Sequence, residues 1–210
     1  MARYKATAPQ ALAQKIKEKA TIANRAAAQA LNKAATYTTD QSVRMITDDV
    51  NLQPAYIKKH LRVVGRASPA NLRTIIAANE RATLLTRYPH MRTSQGIRVA
   101  VNKGSGFREL KGAFAVSGLR GSQASGIALS SRDAVDFFKM GMSKGQRTPA
   151  KSKKLQRIIR KARTRPRSIE VLHSRSINQL FTSVRDQVKP KAEAFLIEDF
   201  LTQLNRLKAK

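Results

Sequence analysis

Hydrophobic positions recur at helical spacing near the start of the chain. Across residues 9–36, apolar residues return every three or four positions, and past Ile22 most of them are alanine. The pattern predicts one long helix that begins near Pro9, because proline suits a first helical turn. Alanine side chains let a neighbouring backbone come close. The helix is therefore either an ordinary core helix or one that packs at a subunit interface.

The helical pattern weakens over residues 36–39, where three threonines occur. β-Branched residues lose rotamer freedom in a helix, so an end is expected there. Val43, Ile46 and Val50 nevertheless keep the helical spacing, which leaves a continuation open. A second, short helix is expected to start at Pro54.

The middle of the chain alternates between apolar and polar positions instead. Residues 96–102 place Ile97, Val99 and Val101 on one face, which is typical of a half-buried strand. The glycines at 104–106 predict a hairpin turn directly after it. Further short strands are expected at residues 71–79, 81–88, 113–116, 126–130 and 168–172. Together they predict an antiparallel sheet of four or five strands.

Helical spacing returns at the end of the chain. We expect a short helix at 177–188 and a last helix from Pro190, with Phe195, Phe200 and Leu204 on its apolar face. The predicted fold class is α+β, an antiparallel sheet flanked by long N-terminal and C-terminal helices. The predicted divisions are 1–132, the N-terminal helix and sheet of a single domain; 133–167, a basic insertion; and 168–210, the closing strand and C-terminal helices of that domain.

Charge changes this picture most strongly within the basic insertion. The chain has 41 Lys and Arg against 13 Asp and Glu, and residues 144–167 contain eleven of those cations with no acidic residue. Such a stretch repels itself unless a polyanion or an acidic protein surface neutralises it. The candidate binding residues are Lys151, Lys153, Lys154, Arg157, Arg160, Lys161, Arg163, Arg165 and Arg167.

An apolar stripe runs through these charges. Leu155, Ile158, Ile159 and Ala162 recur at helical spacing, which predicts a short amphipathic helix held to the protein by that stripe. Arginine suits bidentate contact with phosphate, and no aromatic residue is interleaved to stack on bases. Contact with nucleic acid would then be independent of base sequence. Contact with an acidic protein and a merely solvated face are the alternatives.

No set of residues predicts catalysis. Cysteine is absent, and His60, His90 and His173 have no acidic residue or second histidine nearby at metal-ligand spacing. The pair Asp48 and Asp49 is more typical of a helix end or a salt bridge than of a metal site. No apolar run approaches the roughly 20 residues that span a bilayer. We expect no enzyme, no cofactor, no metal and no membrane contact.

Three stretches, in this order and spacing, carry a resemblance to a known family. They are AAAQALNKAATYTTDQSVRMI (26–46) with YIKKHLRV (56–63), LKGAFAV (110–116), and SIEVLHSRSINQLF (168–181) before a terminal amphipathic helix. The chain resembles the minor tail protein Z family of long-tailed bacteriophages, also called tail completion proteins. It departs from that pattern where residues 133–167 replace a short basic turn and where Ser174-Arg175-Ser176 replaces a Gly-Pro-Ser-like turn. The likeness is therefore not carried onto the insertion.

The resemblance implies a virion structural protein. Such a protein lies at the head-proximal end of the tail, joins the tail tube to the neck, and is present in the host cytoplasm during assembly. A homo-oligomeric ring is implied, with tail tube, tail terminator and neck proteins as neighbours and sequence-independent contact with channel DNA. The alternatives are another neck component, either tail terminator or head closure protein, and a ribosomal or nucleoid-type nucleic-acid-binding protein.

Overall fold

A computed structural model describes residues 10–119, 124–143, 153–165 and 168–209. The helices in these ranges are α1 (Gln10–Asp49), α2 (Pro54–His60), α3 (Ser131–Ser143), α4 (Lys153–Thr164) and α5 (Ile177–Lys208). The strands are β1 (Leu61–Gly65), β2 (Ile75–Ala78), β3 (Ala82–Leu84), β4 (His90–Thr93), β5 (Gly96–Val99), β6 (Arg108–Lys111), β7 (Phe114–Val116), β8 (Gly126–Ser130), β9 (Ile169–Val171) and β10 (His173–Ser176). Antiparallel sheets flanked by N-terminal and C-terminal helices confirm the α+β class.

The described residues group into two compact units. The first unit contains α1 as far as Ile46, the segment Ala55–Asn79, and the chain from Asn178 onward. The second unit contains Thr47–Pro54 and the described part of Glu80–Ile177. The predicted division into one domain interrupted by residues 133–167 stays a prediction.

Helix α1 is packed on two sides within the first unit. On one side, the Asn32 amide donates to the Ala67 carbonyl at 2.9 Å and accepts from the Ala67 backbone N–H at 2.8 Å. On the other side, the Tyr37 ring stacks on Phe195 of α5 with centroids 4.5 Å apart. The buried alanines of α1 are Ala26, Ala28, Ala30, Ala34 and Ala35. They serve packing inside the chain, so the core-helix interpretation holds and the alanines no longer argue for a subunit interface.

The variant Asn32→Ala removes both hydrogen bonds to Ala67 and leaves two backbone groups unpaired in a buried position. We expect the free energy of unfolding to fall by about 1–3 kcal/mol, the range for unsatisfied buried polar groups. Urea denaturation measures this loss. The control Thr21→Ala removes one exposed bond on the same helix and should lose no stability, since alanine has the higher helix propensity. Equal stability of the two variants would contradict the packing described.

Helix α1 does not end at residues 36–39. The hydroxyls of Thr36, Thr38 and Thr39 donate to the carbonyl four residues earlier, at 3.1, 2.7 and 2.9 Å. These hydroxyls are satisfied within the helix, where each shares a carbonyl acceptor with a backbone N–H. Burial of Val43 and Ile46 then carries the helix onward to Asp49. The continuation left open by the sequence is the correct alternative.

The two C-terminal helices expected on either side of Pro190 form a single helix, α5. That prediction is wrong. Proline removes one backbone hydrogen bond from a helix interior, which is why the sequence indicates a break. Leu180, Val184 and Val188 are buried before Pro190, and the stacked Phe195 follows it. Tertiary packing on both sides therefore outweighs the local loss.

The strands form four small antiparallel sheets instead of one sheet of four or five strands. Their orders are β1-β2, β10-β3, β4-β5-β6 and β7-β8-β9. The strand expected at residues 96–102 is present but shorter, over Gly96–Val99, with Ile97 and Val99 only 2% and 3% exposed. A 3₁₀ turn at Lys103–Ser105 links it to β6, which confirms the hairpin turn. Strands of three to five residues, bounded by turns and register shifts, do not join one long ladder.

Candidate polyanion-binding surface

The basic helix α4 is anchored to the second unit by its apolar stripe. Leu155 and Ile158 are 1% and 0% exposed, and Ile159 and Ala162 are half-buried. The stripe faces the protein because these positions share one side of a 3.6-residue period, and α4 packs against α3. The amphipathic helix predicted within the basic insertion is confirmed.

Hydrogen bonds tie the chain after α4 to the start of α3. The backbone N–H of Ser168 donates to the Arg165 carbonyl at 2.9 Å, and the Ser168 hydroxyl donates to the same oxygen at 2.7 Å. The buried Ser131 donates through its backbone N–H and its hydroxyl to the Ser168 carbonyl, both at 2.9 Å. The C-terminal end of α4 is thereby fixed, a feature that the sequence did not indicate.

Helix α3 begins with a capping arrangement. The Ser130 hydroxyl accepts from the Asp133 backbone N–H at 3.2 Å and donates to the Asp133 carboxylate at 2.6 Å. Serine followed three residues later by an acidic residue is a known start signal for a helix. Further along α3, Phe137 and Phe138 contact each other edge to face at 5.4 Å. Asp133 therefore has a structural role at the start of α3.

Among the described residues, the ion pairs of the basic helix are all made with one carboxylate, that of Glu170. Glu170 of β9, with its side chain 10% exposed, accepts from Arg157 at 3.1 Å and from Lys161 at 2.7 Å. Burial raises the pKa of Glu170, but the hydrogen bond and charge of Lys161, together with Arg157, outweigh it and hold the pKa below its usual value. Lys161 also donates to the Ile169 carbonyl at 2.7 Å. Two candidate cations thus have a partner within the chain.

Glu170 was not among the predicted site residues, because it lies just outside the basic insertion. Lys161 does not point away from the protein, because its ammonium reaches β9. Arg157 contacts Glu170, yet its side chain stays 65% exposed, so it both pairs within the chain and points outward. The only feature of the sequence that could have indicated the role of Glu170 is that it is an acidic residue in a predicted strand.

The outward face of α4, together with Arg165 just after the helix, carries the remaining charge. Lys153, Arg160, Arg163 and Arg165 are exposed and make no ion pair with any residue that the structure describes. With Arg157 they form what we call the α4 cationic face. Lys151, Arg167 and the side chain of Lys154 lie outside the described residues. The face offers clustered positive charge beside an apolar stripe that is already buried, which suits the backbone of a polyanion.

The variant Glu170→Gln tests the internal ion pairs. Since the pKa of Glu170 is lowered by folding, its pairs stabilise the fold above the ordinary glutamate pKa of about 4.3 and lose that effect as pH falls below it. We expect the free energy of unfolding to fall by about 1–2 kcal/mol near neutral pH. The expected loss is at the low end of the range for such groups, because Arg157 is screened by water. The difference from the unmodified chain should shrink in acid. Urea denaturation across pH measures both.

A matched control is Glu193→Gln, which removes an exposed pair with Lys189 at 3.8 Å. Exposed pairs within a helix contribute about 0.5 kcal/mol or less, so this variant should be nearly neutral. If the difference between the Glu170→Gln variant and the unmodified chain stayed constant into acid, the ion-pair account would be wrong.

Other candidate residues have structural roles. Asp49, the last residue of α1, accepts from Arg175 at 2.8 Å, which agrees with the expected helix-end ion pair. Within the described ranges, no group of three His, Asp or Glu side chains is placed to hold a metal ion.

None of the helices described is both long enough and apolar enough to span a bilayer.

Comparison with protein-family models, curated proteins and solved structures finds no match to this chain. Any functional conclusion therefore depends on the geometry of the α4 cationic face and on the resemblance carried by the sequence.

Proposed function

We propose that this chain is a structural protein of a phage virion, a minor tail or tail completion protein at the head-proximal end of the tail. In this role it joins the tail tube to the neck and lies against the DNA in the channel. Its task is to bind and position, without catalysis and without a cofactor.

The observation that carries this proposal is the α4 cationic face. Its exposed Lys and Arg side chains have no carboxylate partner among the described residues except where Arg157 meets Glu170. Each such cation placed at a phosphate releases a condensed counterion, which favours binding to DNA of any sequence. A net charge of +28 adds long-range attraction toward a polyanion.

The three sequence stretches that resemble the tail completion family support the location in the tail. Their order along the chain is independent of the charge argument, so the two lines of support do not rest on the same residues. We further propose that copies assemble into a closed ring, the usual outcome when identical subunits associate. The tail tube, the tail terminator and the neck proteins are its proposed neighbours.

Density-gradient fractionation of an infected culture tests the proposal. The chain, followed by mass spectrometry, should migrate with tails and with DNA-filled particles. Migration with ribosomal subunits or with the nucleoid would instead favour the general nucleic-acid-binding alternative and overturn a role in the tail. Recovery with heads that lack tails would favour a head closure protein.

A further inference from the structure

A second cationic surface lies in the first unit, on the two-stranded ribbon formed by β1, β2 and the loop between them. No acidic residue occurs between Asp49 and Glu80. The basic residues of this span are Lys58, Lys59, Arg62, Arg66 and Arg73. Lys58 pairs with Asp40 at 3.2 Å, whereas the other four make no ion pair in the described part of the chain.

Exposed aliphatic side chains lie among these arginines. Val64, Leu72 and Ile75 are 54%, 44% and 42% exposed. Arg62 pairs with Ala77, which lies two residues from Ile75 on β2, so Arg62 and Ile75 project from the same face of the ribbon. Val64 is the extra residue of a β-bulge in β1, and Arg66 follows the end of that strand. We call Arg62, Val64, Arg66, Leu72, Arg73 and Ile75 the ribbon surface. It combines three exposed aliphatic side chains with three exposed arginines.

This composition differs from that of the α4 cationic face. The aliphatic residues of α4 are buried or half-buried inside the second unit, so that helix offers an anion little besides charge. The ribbon surface keeps three large aliphatic side chains in water, and contact with a phosphate backbone would not bury them. Protein interfaces, by contrast, have an apolar centre with a polar rim in which arginine is enriched.

We propose that the ribbon surface docks an acidic protein that has aliphatic side chains at the centre of its own contact patch. The arginines meet carboxylates at the rim, while Val64, Leu72 and Ile75 are buried at the centre. This binding site is separate from the α4 cationic face in its residues and in the class of partner it takes.

The conformation of the ribbon is set before any partner binds. In the loop, the backbone N–H groups of Ser68 and Asn71 each donate to the carbonyl of the other at 2.9 Å. Asn32 of α1 holds Ala67 through two hydrogen bonds. A surface that is already ordered loses less entropy on binding, which favours affinity.

A second copy of this chain does not supply the acidic patch. Seven of its 13 acidic residues are already in salt bridges within the chain. They are Asp40, Asp49, Glu109, Glu170, Asp186, Glu193 and Asp199. Charge complementarity therefore points to a different, acidic protein.

The test uses the full chain and three fluorescent probes: a short peptide in which Leu alternates with Glu, a peptide of equal charge in which Ser replaces Leu, and duplex DNA. The test variant carries Val64→Ser, Leu72→Ser and Ile75→Ser. The control variant carries Met91→Ser, Ile197→Ser and Leu201→Ser, which remove three equally exposed apolar side chains elsewhere. All six sites are exposed, and circular dichroism should report the same fold for both variants.

We expect the Leu-Glu peptide to bind the unmodified chain at least about tenfold more tightly than the Ser-Glu peptide. The test variant should lose that preference, and the control variant should keep it. Equal binding of the two peptides, or an unchanged preference in the test variant, would overturn the proposal. So would a loss of DNA affinity in the test variant, which would make the ribbon a nucleic-acid surface. A change in sedimentation of the test variant would indicate self-association instead and would also overturn it.

Discussion

Replacing Lys153, Arg160, Arg163 and Arg165 with Gln will flatten the salt dependence of duplex DNA binding. Each cation at a phosphate contributes about 0.9 to the slope of log affinity against log salt concentration, so loss of all four contacts removes roughly 3–4 from that slope. Affinity at low salt should fall by orders of magnitude. Fluorescence anisotropy with one duplex at several salt concentrations measures both quantities.

The choice of these four residues follows from the structure. Arg157 and Lys161 are left in place because both contact Glu170, and their removal would confuse binding with stability. The matched control replaces Lys17, Lys19, Lys191 and Lys208 with Gln, which removes the same charge from exposed positions on α1 and α5. If both variants flattened the slope equally, attraction would come from overall charge and a contact at α4 would be excluded.

Ile158→Asp will detach α4 from the second unit. Ile158 is fully buried, and truncating such a side chain costs about 2–5 kcal/mol before any charge is considered. A carboxylate in an apolar environment adds a desolvation cost, so we expect the free energy of unfolding to fall by at least about 3 kcal/mol. Urea denaturation measures the loss, and hydrogen exchange should show faster exchange of the α4 backbone amides.

The matched control for this variant is Gln156→Asp, which adds the same charge to the exposed side of α4. It should fold with the stability of the unmodified chain within about 0.5 kcal/mol, as exposed substitutions usually do. Equal stability of the Ile158→Asp and Gln156→Asp variants would mean that the apolar stripe does not anchor the helix.

Local periodicity was sufficient to predict an element and its buried side chains where one face of that element is buried. Leu155 and Ile158 recur at helical spacing, and Ile97 and Val99 at strand spacing, and these side chains are buried as expected. Such signals lie within a few residues of each other, so they can be interpreted without knowledge of the fold. They correctly indicated the α+β class, strand β5 and the amphipathic helix at the candidate site.

Features that depend on a partner elsewhere in the chain could not be predicted in the same way. Periodicity shows which face of α4 is polar, but it does not show that Glu170 of β9 will meet Arg157. Pro190 indicated a helix break, because its effect is local, whereas the packing of α5 that outweighs it is not. The threonines of α1 were expected to weaken the helix, yet each bonds to its own helix backbone.

The ribbon surface illustrates a different limit of sequence reasoning. Its cations are spread between aliphatic residues, so the span does not stand out as a charge run in the way that residues 144–167 do. Only the strand geometry shows that Arg62 and Ile75 share a face of the ribbon, and only the fold shows that Val64 and Ile75 remain exposed. The absence of acidic residues between Asp49 and Glu80 was the one signal available in advance.

The neighbours of the α4 cationic face in the assembled particle test the central claim most directly. A photo-crosslinking amino acid placed at Arg160, which is exposed and outside the ion pairs with Glu170, reports what lies against that face. Irradiation of purified particles should link the chain to DNA. Crosslinks confined to protein, or no crosslinks because the face meets only solvent, would contradict the proposed contact with channel DNA.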